Sequence, residues 1–420
     1  MGKVQASSGL IEQDAVVAAA TSGDQAAFAA LAERYRRELQ VHCYRMLGSF
    51  QDAEDLVQET LLRAWRRRQQ FQGRSSFRAW LYRIATNACL DALANRSRRV
   101  LPYQVVPPTD PRAASPPSAD PEIAWLQPYP DRLLDQVAPG DTEPAAQVVA
   151  KETIELAFLA AIQLLPPRQR AVLILRDVLG WSAREAATLL EASVPGVNSA
   201  LQRARATLRR QLPPRRLDWA PSAAPTQEER AVLQRYIEAT ERADPAALAE
   251  LLAEDARSAM PPAPVWLEGR EAVITAVSEG LAPEFGQWRL VPTWANRQPA
   301  AACYLRRPGE TEFRAFSIDV LRVEDGKVVE LTAFSVDLFP AFGLPATLRW
   351  TTSAPNRSAS SAGGCRRGSS SGWWSSRPAT GWPSTRPTGV TRSWWSRGAS
   401  SRWSGWVAAA SASSAATCCG

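Results

Sequence analysis

Histidine occurs once in the 420 residues, at His42, and the six cysteines (Cys43, Cys89, Cys303, Cys365, Cys418 and Cys419) form no CxxC pair and no Cys/His cluster. That spacing excludes the usual structural and catalytic metal sets, and no metal or other cofactor is expected. The N-terminus, MGKVQASSGLIEQDAVVAAA, lacks the long apolar core of a secretory signal, and no stretch reaches membrane-spanning length. The expected setting is a reduced cytoplasm with no membrane partner. From Thr351 onward Asp, Glu, Lys, Leu, Ile, Phe and Tyr are all absent. A segment without them cannot build a core, and residues 351–420 are expected to be a disordered, low-complexity tail. That tail holds eight arginines, more than the whole net charge of +7, and leaves the first 350 residues at −1. Overall basicity therefore carries no argument for nucleic acid, which must rest on local charge. The tail also holds seven of the 16 tryptophans, in WW and SRW clusters, the composition of GC-rich DNA translated out of frame.

What is present divides into three blocks. The length allows several cores, and the 32 prolines are too many for one compact unit, so most must lie in linkers. Residues 11–99 read as helical. Asp24 can cap a helix carrying Phe28, Leu31, Tyr35 and Leu39, and Asp52 can cap the next, DAEDLVQETLLRAW. Ser75 or Ser76 can begin a third, FRAWLYRIATNACLDALANRSRR. Residues 100–144, including PPTDPRAASPPSADP, have the composition of a flexible linker. Residues 145–212 are helical again. Residues 226–345 combine helices, with PAALAELLAEDA among them, and strand-like runs at 300–306, 313–323 and 327–334. The last two are joined by the hairpin signal Asp325-Gly326. The expected fold class is multidomain: two all-α domains, then an α+β cone-shaped domain with a curved antiparallel sheet, then the tail.

The second helical block contains a helix-turn-helix pattern. A helix at 182–190 with Ala186, Ala187 and Leu190 inward is followed by a break and a helix at 195–210. There Val197, Ala200, Leu201, Ala204 and Leu208 form the buried stripe. Asn198, Ser199, Gln202, Arg203, Arg205 and Arg209 are left outward, the chemistry that reads base edges and phosphates in a major groove. A plain helical bundle with a basic outer face would show the same pattern. In the first block, Arg67, Arg74, Arg78, Arg83, Arg96, Arg98 and Arg99 are interleaved with Phe71, Phe77, Trp80 and Tyr82, a mixture suited to single-stranded nucleic acid. Each aromatic taken alone fits a core position better than a base contact.

Two stretches, HCYRMLGSFQDAEDLVQETLLRAWRRRQQFQGRSSFRAWLYRIATNACLDALANRSRR and LPPRQRAVLILRDVLGWSAREAATLLEASVPGVNSALQRARATLRR, resemble the extracytoplasmic-function class of bacterial sigma factors. The resemblance implies a non-enzymatic factor that binds core RNA polymerase at the clamp region of its largest subunit and directs promoter recognition and opening. It implies polymerase contacts at Asp52, Asp55, Leu56, Gln58, Glu59 and Leu62. It places capture of the locally melted −10 element at 67–76 and along the following helix, with Arg67, Arg74, Arg78, Trp80, Arg83, Asn87, Arg96 and Arg98 as DNA-binding candidates. Asn198, Ser199, Gln202, Arg203 and Arg205 would read the duplex −35 element. The third block, through AEDARSAMPPAPVWLEGREAV and AFSIDVLRVEDGKVVELTAF, resembles SnoaL-like, nuclear-transport-factor-like modules, which form a cone around a cavity. Asp255, Trp266, Trp288 and Asp319 are its candidate cavity residues, and a small-molecule ligand or a regulatory protein its candidate partner. The block has no histidine and no nucleophile–base pair legible from spacing, which favours a core or regulatory role over an active site. The rival readings are a conventional helix-turn-helix regulator and a small-molecule enzyme centred on 226–345.

Overall fold

The computed structural model describes residues 15–73, 75–94, 96–112, 122–134, 154–212 and 226–349. The tail after Thr351 and much of the proline-rich linker therefore lie outside the described residues. So does the candidate Arg74.

The first block comprises α1 (Ala15–Ser22), α2 (Gln25–Leu47), α3 (Phe50–Arg66) and α4 (Phe77–Ala94). The Asp24 carboxylate caps α2, accepting from Ala26 N at 2.8 Å and Ala27 N at 3.0 Å. Phe28, Leu31, Tyr35 and Leu39 form its buried stripe. Gly48 ends α2 at a φ of 70°, and a Cβ there would lie 2.8 Å from Leu126 Cδ1, so both conformation and space require glycine. The turn is so tight that α3 starts earlier than the sequence suggests. Ser49, not Asp52, is its cap, and the Ser49 hydroxyl accepts from Asp52 N at 3.1 Å. Ser76 caps α4 through Ala79 N at 3.2 Å.

The linker segment carries the short α5 (Asp131–Leu134), and the second block holds α6 (Leu156–Gln163), α7 (Pro167–Leu173), a π-helical turn at Ile174–Val178, α8 (Ala183–Leu189) and α9 (Val194–Gln211). Ser182 and Glu185 form a reciprocal capping box on α8, and Ser193 caps α9. Leu189, not Leu190, completes the inner face of α8, and Ala200 is only half-buried. Arg170 of α7 is 2% exposed and pairs with no carboxylate among the described residues. Its guanidinium instead donates to Ile162 O (3.0 Å), Gln163 O (2.8 Å), Leu165 O (3.2 Å), Gln163 Oε1 (2.5 Å) and Met46 O of α2. Five carbonyl acceptors satisfy a fork that burial pulls down to a pKa of about 10.

The linker expectation needs correction. Parts of it are packed, with Leu101, Leu126, Tyr129, Leu133 and Leu134 all buried, while Val105, Pro107, Pro108 and Arg112 stay exposed. Apolar residues set between the prolines give this segment a core face that its composition as a whole conceals.

The third block runs α10 (Gln227–Glu241), α11 (Pro245–Leu251), β1 (Leu252–Ala259), β2 (Trp266–Glu268), α12 (Arg270–Gly280), β3 (Gln287–Ala295), β4 (Gln298–Arg306), β5 (Phe313–Glu324), β6 (Lys327–Ser335), α13 (Phe339–Phe342) and β7 (Thr347–Leu348). The seven-stranded sheet has the order β2-β1-β6-β5-β4-β3, with β7 on β5. It is not wholly antiparallel, because β1 pairs with β6 in parallel. Nor does PAALAELLAEDA stay helical: Leu251 closes α11 and the chain enters β1 at Leu252. On one face Val232, Leu233, Ile237, Val273, Leu290, Cys303 and Leu321 form a core with α10–α12. On the other, Ala300, Ala302, Tyr304, Ile318, Val320 and Phe334 join the core of the two helical blocks. Strand β4 is thus buried on both sides, which explains its unbroken apolar run.

The β3–β4 turn enters the helical blocks. Asn296, at a φ of 57° and fully buried, donates to Tyr44 Oη at 2.8 Å and Ile154 O at 2.7 Å, and its Oδ1 accepts from Tyr129 N at 2.7 Å. Beside it Arg297 N donates to Asp131 Oδ1 at 2.8 Å, and Gln298 Oε1 accepts from Leu156 N at 3.0 Å. An Asn296→Ala substitution would orphan buried groups on three segments at once and is expected to cost about 2–4 kcal/mol. Hydrogen exchange should report it as lost protection at the Tyr129 amide, which donates to the Asn296 side chain; unchanged protection there would refute it.

His42 of α2 is sealed in the first block, with Nε2 2.9 Å from Thr86 Oγ1 and its ring against Tyr82. Burial, helped by the charges of Arg45 and Arg78, lowers its pKa to about 3. A free histidine titrates near ~6.5, so below that pH the unfolded chain binds the extra proton first. The contribution is complete above ~6.5 and is lost as pH falls toward 3. A His42→Gln variant is expected to lose less melting temperature than the parent between about pH 7.5 and about pH 5. Parallel melting curves would contradict this account.

Candidate nucleic-acid interface

Helix α3 presents Asp55, Gln58 and Leu62 on one exposed face, three- and four-residue steps apart, with Leu56 and Glu59 half-buried beside them. Leu62 is 51% exposed, unusual for leucine on a packed helix. Glu59 is tied to Arg63 at 2.7 Å. Asp52, near the start of the helix, is engaged from elsewhere: Arg99 Nη2 lies 2.6 Å and Arg96 Nη1 3.1 Å from its Oδ2.

Beyond α3 the basic candidates separate into held and free. Arg78 pairs with Glu38, its Nε lying 3.0 Å from both carboxylate oxygens, with its guanidinium over Tyr82, so it braces α4 against α2. Arg83 is exposed but reaches Glu191, at the turn of the helix-turn-helix, at 2.6 Å. Arg67, Asn87 and Arg98 are exposed. Trp80 is half-buried in a triangle with Phe71 and Phe77, each centroid distance to it being 5.4 Å. Phe77 and Tyr82 are core, and Tyr82 carries Trp181 of the second block at 5.4 Å.

On α9, Asn198, Ser199, Gln202 and Arg203 are exposed together, opposite the buried Val197, Leu201, Ala204 and Leu208. Arg205 is also exposed but forks onto Asp177 of the π-helical turn at 2.8 and 2.7 Å, which orients α9 against the preceding helix.

The four candidate cavity residues of the third block do not converge. Asp255 is exposed on β1. Trp266 serves the linker: its Nε1 donates to Val106 O at 2.9 Å, and its carbonyl accepts from Thr109 N at 2.8 Å. Trp288 is half-buried between Phe285 and Phe316, with Nε1 donating to Gly280 O at 2.8 Å. Asp319 is buried, and both oxygens are taken by its own chain. Tyr236 Oη donates at 2.8 Å and Cys303 Sγ lies at 3.1 Å on Oδ2, while Ser317 Oγ donates at 2.8 Å to Oδ1. Burial raises the pKa of Asp319 and these three donors oppose the rise. Sequence spacing carries no signal for Tyr236 and Cys303 as its partners before the elements pack, whereas Ser317, two residues away on β5, shares its face. No cluster of metal-ligating residues occurs among the described residues, and no single described helix is long and apolar enough to cross a membrane.

Comparison with known proteins agrees with this layout. Residues 31–99 match the Sigma-70 region 2 family, 155–208 the Sigma-70 region 4 family, and 233–331 the SnoaL-like domain. The chain is 45% identical over 332 residues to the ECF RNA polymerase sigma factor SigG of Mycobacterium tuberculosis, covering 76% of this chain and 85% of that one. It is 32% identical over 193 residues to the ECF RNA polymerase sigma factor SigW of Bacillus subtilis, covering 45% of this chain and 91% of that one. The crystal structure of the Mycobacterium tuberculosis extracytoplasmic function sigma factor SigJ covers 76% of this chain and 99% of its own, at 21% identity and a TM-score of 0.48. With both sigma regions in order and the SigG likeness spanning 76% of the chain, the chain belongs to the ECF family of RNA polymerase sigma factors.

Proposed function

We propose that this sigma factor docks on polymerase through the α3 face of Asp55, Leu56, Gln58, Glu59 and Leu62 and reads duplex promoter DNA with Asn198, Ser199, Gln202 and Arg203 of α9. Arg67, Asn87, Arg96 and Arg98 meet the opened strand, with Trp80 at the edge of the aromatic triangle. The observation that carries this reading is the separation of two exposed faces with different chemistry. One is acidic and apolar on α3, the other amide- and guanidinium-bearing on α9. Arg78 and Arg205 act in this scheme as braces, since each guanidinium is paired with a carboxylate of the chain.

The third block works here as a docking and regulatory module rather than as an enzyme. Both oxygens of Asp319, its one buried carboxylate from the candidate set, are already satisfied. The compact arrangement is a holding state. Arg83 is spent on Glu191 and Tyr82 is covered by Trp181, so the second block lies over α4, and the Asn296 turn secures both helical blocks. Engagement of polymerase and promoter in the cytoplasm requires these contacts to part.

Run-off transcription with core polymerase on a pool of genomic fragments tests the reading. Leu62→Ala is expected to weaken polymerase binding by about 1–2 kcal/mol without changing which fragments are chosen. Arg203→Ala should cost about 1–3 kcal/mol of discrimination at one base position with polymerase binding intact. The reverse pattern would show the two faces to be misassigned.

A further inference from the structure

We propose that Asp52 is a positioning residue for promoter DNA, holding the basic run at 96–99 in place, and is not itself a polymerase contact. The proposal rests on the DNA role assigned above to Arg96 and Arg98.

Helix α4 ends at Ala94, and residues 96–99 have no regular structure of their own. A strongly basic run in that state has no intrinsic reason to point one way. Two attachments fix it. The first is a backbone clamp: Val100 N donates to Ala124 O at 3.0 Å, and Leu126 N to Val100 O at 2.9 Å. The second is Asp52, which reaches the run from the first turn of α3. Its Oδ2 accepts from Arg99 Nη2 at 2.6 Å and lies 3.1 Å from Arg96 Nη1. Arg99 closes the set by donating through Nη1 to Trp125 O at 2.7 Å.

The exposures favour a built arrangement over a casual surface pair. The side chains of Asp52 and Arg99 are each 20% exposed, so their charge-assisted bond is only partly screened. Arg96 is 55% exposed and Arg98 exposed, so the outer edge of the run remains open to a phosphate backbone. Asp52 shares one oxygen between two guanidiniums, which leaves it little negative field for a partner protein. Asp55 and Gln58, within the next two turns of α3, stay exposed and supply that face without it. Asp52 therefore links the helix assigned to polymerase with the segment assigned to DNA, and it fixes the distance between them.

The test uses the full chain with core polymerase and a promoter fragment recovered by run-off with the parent protein. Asp52→Ala is expected to leave polymerase affinity within about twofold while lowering open-complex formation, read by permanganate reactivity, about tenfold. The slope of log affinity for DNA against log salt should fall by about one, the loss of one ordered phosphate contact. Arg99→Ala should behave alike, and Asp52→Glu should restore most of the opening. A tenfold loss of polymerase affinity in Asp52→Ala with Arg99→Ala silent would overturn the proposal, because Asp52 would then be a polymerase contact. Tighter DNA binding in Asp52→Ala would also overturn it, by showing that the carboxylate merely competes with phosphate for Arg96. A parallel fall in polymerase affinity, opening and melting temperature would reduce Asp52 to a folding role. Arg96→Ala separates the two levels of argument. If it lowers opening and salt slope while Asp52→Ala lowers neither, only the positioning role fails; if it changes nothing, the DNA role of the run fails as well.

Discussion

Asn296 sits at the tip of a tight turn between β3 and β4, with no exposed surface, and its amide joins three parts of the chain that are distant in sequence. It donates to Tyr44 in the first helical block and to the Ile154 carbonyl at the entry to the second, and it accepts from Tyr129 in the linker. Asparagine tolerates the left-handed backbone there and carries both donor and acceptor, so one short side chain satisfies groups that burial would otherwise penalise. Around it Ala300, Ala302, Ile318 and Phe334 cover the helical core, and the linker segment bridges at Trp125 to Val100 and at Pro130 to Ala295.

Charge pairing within the chain decides which basic residues are available. Sequence counts treat all arginines of the first two blocks alike, but the fold separates them. Arg170 is sealed among carbonyls, Arg78 and Arg205 are paired with acids, Arg83 crosses to Glu191, and Arg67, Arg98 and Arg203 stay exposed. A buried or bidentate guanidinium works as a structural tie. An exposed one keeps its field for a phosphate. The same sorting applies to the acids, since Asp52 is committed to arginines while Asp55 is open to solvent.

The parts legible in advance depend on short-range rules. The Asp24 cap, the stripe on α9 and the Asp325-Gly326 hairpin are all set by residues within one or two turns of each other. The misreadings share the opposite cause. Asp52 looked like the cap of α3 until the Gly48 turn brought Ser49 into that position. LAEDA read as helix because alanine and glutamate favour it, but pairing with β6 and β2 draws Leu252 onward into a strand. The linker read as flexible because prolines dominate its composition, whereas Leu126 and Tyr129 find a groove that exists only once the blocks meet.

Of the four cavity candidates, Asp319 alone is a buried carboxylate; Ser317 shares its face two residues away on β5, while Tyr236 and Cys303 come from a helix and a strand that no spacing rule connects to it. The sequence by itself determined the Asp24 cap and the buried stripes of the helices, because these follow from periodicity and local hydrogen bonding, while the sigma family came from the resemblance of two stretches. Only the tertiary structure decided which polar side chains are ties and which are free to bind. Burial and pairing depend on what a second segment places within about 3 Å.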